Sequence, residues 1–116
     1  MANEPEAEWR NLQSPGTPTK GIEGATLASS ASVSLAVTSY IHAVSGTAEQ
    51  LLIDIPYAGF AGTIALRPTG VFTGATTGTA TATAKKIGLA FTAVVGKILY
   101  MTYVPSTGLW YPSYTS

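Results

Sequence analysis

His42 is the only histidine among 116 residues, and no cysteine accompanies it. Nucleophilic hydrolysis needs a hydroxyl or thiol, a base, and an acid that orients the base. Ser39 or Ser45, His42, and Asp54 or Glu49 are the residues that could fill those roles. Hydrolases of the α/β type place the serine on a G-x-S-x-G elbow, and none occurs here. His42 sits instead in a run of alternating apolar and polar residues, where an imidazole packed on a sheet is the commoner arrangement. Glu49 and Asp54 are the only acids after residue 24, so paired-carboxylate catalysis has little raw material. A single histidine without cysteine leaves no zinc site of usual composition. The expectation is a protein that is not an enzyme and holds no metal or cofactor.

Two other patterns invite a binding role. Gly88 and Gly96-Lys97 superficially resemble a phosphate loop, but seven residues separate the glycines where four are required, and no Ser or Thr follows the lysine. Arg67, Lys85, Lys86 and Lys97 are the main cations, and no acid follows Asp54. Scattered through a neutral chain, four such charges read as a solvated face, so no nucleic-acid partner is expected. Tyr100, Tyr103, Trp110, Tyr111 and Tyr114 crowd the C-terminal stretch. They could form a platform for sugars or bases, or an oligomer face. Packing in a core or interface is the commoner use of aromatics at that density.

Composition bounds the class. Six basic and six acidic residues cancel, so no net field draws the chain to nucleic acid or to an anionic bilayer. Only 10% of residues are charged, well below the usual quarter, while 46% are hydrophobic. A monomer with so uncharged a surface is poorly soluble, and burial in a homo-oligomer or larger assembly is the simplest remedy. The N-terminal residues lack the basic and apolar regions of a signal peptide, and the longest apolar run, Ile87 to Leu99, is too short and too interrupted to span a bilayer. The expectation is a soluble protein made in a cytoplasm, with no membrane partner.

The elements that must position these residues are strands. Residues 1–24 stand apart, with four glutamates, three prolines and few apolar groups beyond Trp9, Leu12 and Ile22. Pro15-Gly16-Thr17-Pro18 forbids helix and sheet alike, so the segment reads as an extended arm. Trp9, Arg10 and Leu12 are its candidate partner-binding residues, because an indole serves as an anchor where an arm docks. From residue 25 onward the pattern is period two. Strands are expected over 32–39, 40–44, 51–55, 63–68, 71–73 and 87–92, followed by a hairpin over 97–114. Pro105-Ser106-Thr107-Gly108 forms the turn of that hairpin, and the first strand carries apolar residues on both faces. Residues 74–84 hold only Gly, Thr and Ala, and read as a weakly anchored strand or a long loop. Strands every eight to twelve residues with no convincing helix define an all-β fold: a small antiparallel sandwich or barrel-like domain of roughly eight strands over 25–116.

Within that domain, G-F-A-G-T-I-A-L-R-P at 59–68, G-V-F-T at 70–73, T-A-V-V-G-K-I-L-Y-M-T-Y at 92–103 and G-L-W-Y-P-S-Y at 108–114 form a string of strand-and-turn signatures. Over residues 55–114, about half the chain, this string resembles a β-rich domain of structural proteins of tailed bacteriophages, found in tail or head fibres and small capsid-associated proteins. The chain departs from that pattern at 105–108, where such proteins often carry an Asp-Gly-Thr type loop. The resemblance implies a virion structural protein, often trimeric. For a short chain it implies a capsid decoration (cement) protein on the outer shell, with the major capsid protein and its own copies as partners. The alternative it implies is a fibre or tail-tip component that binds a host surface glycan. It carries no catalytic residues.

Overall fold

The computed structural model describes residues 22–116, all of them strand, turn or loop. Ten strands form in chain order: β1 (Leu27–Ala28), β2 (Ile41–Ser45), β3 (Glu49–Gln50), β4 (Leu52–Asp54), β5 (Gly62–Pro68), β6 (Thr73–Gly74), β7 (Ala84–Ile87), β8 (Phe91–Thr92), β9 (Leu99–Val104) and β10 (Leu109–Pro112). Seven of them make one sheet in the order β1-β2-β5-β9-β10-β7-β4, curled into a half-barrel, and β3-β6-β8 make a small second sheet. The all-β fold expected from the strand spacing is the fold observed. Its pairing is mixed rather than wholly antiparallel: β1 with β2, β2 with β5, β10 with β7 and β3 with β6 run parallel.

The C-terminal hairpin is the backbone of the large sheet. Leu109 to Pro112 pair in reverse with Val104 to Met101. The turn forms where Pro105 and Gly108 place it: Gly108 takes φ 70° and its N–H donates to the Val104 carbonyl at 2.8 Å. Alternation then sorts the side chains. Leu99, Met101, Tyr103 and Trp110 point inward and are buried, meeting Ile64, Leu66, Ile53 and Ile87 in one core. From the small sheet, Phe72 and Phe91 enter the same core edge to face, with centroids 5.7 Å apart. Tyr100, Thr102 and Val104 point outward. Among the described residues no second layer covers this outer face: Tyr100 is 50% exposed, and Thr102 and Val104 are half-buried.

One expectation fails. Residues 32–39 alternate as a strand should, and Leu35 and Val37 are buried as that alternation asks, but only Leu35 pairs, in a lone parallel bridge to Ile53. Residues 24–37 act as a strap. Gly24 and Ser29 donate their N–H groups to Ile41 and Ser45 on β2, at one edge of the large sheet. Six residues later, Leu35 donates to Leu52 and accepts from Asp54 on β4, at the other edge. Six extended residues reach at most about 20 Å, whereas the six spacings across a flat seven-stranded sheet come to about 29 Å. The strap can join both edges only because the sheet curls. Only Leu27–Ala28 within it forms a strand, β1, and between the two anchored ends side chains rather than a neighbouring strand bond the Ser30 N–H and the Val33 carbonyl.

The remaining differences are local. The run expected over 51–55 splits: Glu49–Gln50 joins the small sheet and Leu52–Asp54 the large one. The run expected over 87–92 breaks after Ile87 because Gly88 lies under Tyr111 and Leu109, where a Cβ would come within 3.0–3.2 Å of them. Of the weak segment 74–84, Gly74 ends β6, Ala84 begins β7, and the residues between form a loop.

Two glycines of unlike environment test this packing. A Cβ on Gly74 would lie 2.1 Å from the buried Phe91 ring, whereas a Cβ on Gly108 meets nothing within 4 Å and suffers only its positive φ. Gly108→Ala should cost about 1 kcal/mol of left-handed backbone strain. Gly74→Ala should cost about 2–3 kcal/mol, because the ring must move in a filled core. Urea unfolding of both variants checks the order, and equal stabilities would show that Phe91 does not sit over Gly74.

Candidate functional site

His42 is fully buried on β2, facing inward beside Leu66. Its Nε2 accepts two backbone N–H groups, those of Thr38 and Ser39, each at 3.0 Å. With Nε2 an acceptor, the proton sits on Nδ1, which donates to the Ala25 carbonyl at 2.7 Å. Gly24 lies against the ring, where a Cβ would come within 2.2 Å of it. One nitrogen therefore holds the start of the strap, and the other holds the turn that follows its end. The Ser39, Ser45, Asp54 and Glu49 side chains make no hydrogen bond to the imidazole, so the hydrolytic arrangement that these residues could have formed is not assembled. Among the described residues, no group of three His, Asp or Glu side chains could hold a metal ion.

Gln50 repeats the device at the other end of the strap. Also fully buried, its Oε1 accepts the Ser30 N–H at 2.9 Å, and its Nε2 donates to the carbonyls of Val33 at 2.9 Å and Leu52 at 2.7 Å. Nothing in the sequence marked Gln50. A lone amide in a polar dipeptide reads as solvated, and its role depends on where the strap passes. Near it lies a cleft between residues 31–33 and 77–79, lined also by Leu51 and Leu52, with a volume of about 280 Å³. It contains no charged group.

The five C-terminal aromatics do not share one face. Trp110 is fully buried and donates its indole N–H to the Ile53 carbonyl at 2.9 Å, and Tyr103 packs on it with centroids 5.3 Å apart. Both belong to the core, which corrects their placement on a binding or oligomer face. The inward side of the alternation claims them. Tyr114 is half-buried and ties down the turn before β9: its hydroxyl donates to the Lys97 carbonyl at 2.9 Å and accepts the Val94 N–H at 3.1 Å, while the Lys97 ammonium lies 4.4 Å from its ring centroid. Tyr100 and Tyr111 remain on the outer face of the large sheet. Trp9, Arg10 and Leu12 lie outside the described residues.

That outer face is the surface left for binding. Register sets Ile41, Ala65 and Tyr100 in line across β2, β5 and β9, and sets Val104 beside Leu109 and Thr102 beside Tyr111 across β9 and β10. Thr63 and Thr102 join their hydroxyls at 2.8 Å in its middle. Its cations are spread apart: Arg67, on β5, pairs with Glu23 at 3.8 Å, and Lys86, on β7, stands beside Leu109. No stacked basic and aromatic groove results. At one end of the core, the neighbouring Tyr40 side chain and desolvation raise the Tyr57 phenol above its ordinary value of 10.0. No family of known proteins, no curated protein and no solved structure matches the chain.

The geometry separates a structural histidine from a surface tyrosine. His42→Ala removes three hydrogen bonds and empties a fully buried site, which should cost about 3 kcal/mol. Tyr100→Ala touches an exposed ring and should stay within about 0.5 kcal/mol of the parent. Denaturant midpoints of the two variants measure the difference. A His42→Ala protein as stable as the parent would mean that the strap does not depend on the imidazole.

Proposed function

We propose that this chain is a structural component of a tailed-bacteriophage virion, a decoration protein that clamps the outer surface of an assembled capsid. The observation that carries the reading is how the domain uses its functional groups. Its two fully buried polar side chains, His42 and Gln50, are spent on holding backbone, while the outer sheet face presents Tyr100 exposed and Ile41, Val104, Leu109 and Tyr111 half-buried, with no second layer among the described residues. Such a body is suited to adhesion rather than to turnover. The resemblance of residues 55–114 to phage structural domains supports the virion setting, and the low charge of the chain supports a life in an assembly.

A ligand that binds only the completed shell stabilises that shell through its own binding free energy. Linked copies, a trimer by the habit of the proteins it resembles, would multiply modest contacts by avidity. In this reading the major capsid protein is the partner, and the arm of residues 1–24, anchored by Trp9 with Arg10 and Leu12 beside it, adds to the grip. The second reading, a fibre or tail-tip component that binds a host glycan, draws on the Tyr100 ring beside the Thr63–Thr102 hydroxyl pair, an apolar plane next to polar groups.

The parent protein and Trp9→Ala are to be added to expanded shells that lack the protein, with binding followed by co-sedimentation and electron microscopy. Loss of a buried aromatic anchor should weaken binding by about 2 kcal/mol per copy, roughly thirtyfold. Equal decoration by both proteins would show that the arm is not the attachment device. Failure of the parent to decorate shells, together with retention on immobilised host glycans, would favour the fibre reading.

A further inference from the structure

We draw no further inference here: the strongest candidate, the uncharged cleft between residues 31–33 of the strap and residues 77–79 of the loop before β7, lined also by Leu51 and Leu52, carries none because nothing in the structure shows what fills it.

Discussion

The structure depends on a short tether between two sheet edges. Residues 24–29 hold one edge at β2 and Leu35 holds the other at β4, leaving a stretch that cannot span a flat sheet of this width. The sheet curls, and its concave side becomes narrow enough for Trp110, Phe60, Leu66 and Met101 to fill from within. With both edges occupied by the strap, the rows of unpaired backbone groups that invite strand addition are largely taken up. Curl, core and edge protection are thus consequences of one connection.

That connection is held by polar side chains in places where a small domain would ordinarily put apolar ones. A parallel edge strand of two residues is a weak ladder, and residues 30–34 have no ladder at all. His42 supplies one donor and one doubly used acceptor, and Gln50 supplies two donations and one acceptance, so each buried polar atom of the pair is matched. Each residue is also specific in a way that a leucine could not be. An imidazole that must accept from residues 38 and 39 while donating to residue 25 fixes one path for the strap and penalises every shifted register with an unpaired buried group.

Much of this was legible in the sequence. The hairpin was, because Pro105 and Gly108 impose local geometry and the flanking runs alternate strictly. The inward set of that hairpin was legible too, since period two makes residues 99, 101 and 103 share a face. The parallel pairings were not, because β10 beside β7 and β2 beside β5 are contacts between distant segments of similar composition, and nothing local distinguishes a parallel from an antiparallel neighbour. The strand expected over 32–39 was misread for a related reason. Alternation reports which side chains are buried, and Leu35 and Val37 are, but it does not report what the backbone bonds to. His42 sits packed on the sheet with both ring nitrogens bonded to backbone groups. The matching role of Gln50 escaped, because a single amide has no periodic signature.

The contrast between the two faces of the large sheet carries the functional argument further than any single residue does. Inside, the polar atoms of His42 and Gln50 are matched and the rings interlock, with Phe60 6.0 Å from Trp110 and Tyr103 beside it. Outside, the same strands display Tyr100, 50% exposed, among the half-buried Ile41, Val104, Leu109 and Tyr111. A sheet that needed only to fold would place Lys, Glu or Thr at positions 41, 100, 104, 109 and 111, because those side chains contribute nothing to the interior. Retaining Ile, Tyr, Val, Leu and Tyr there has a physical advantage only if the face spends part of its life covered. On the reading proposed above that cover would be the capsid shell, and the strap-closed half-barrel is the support that holds this face in one shape.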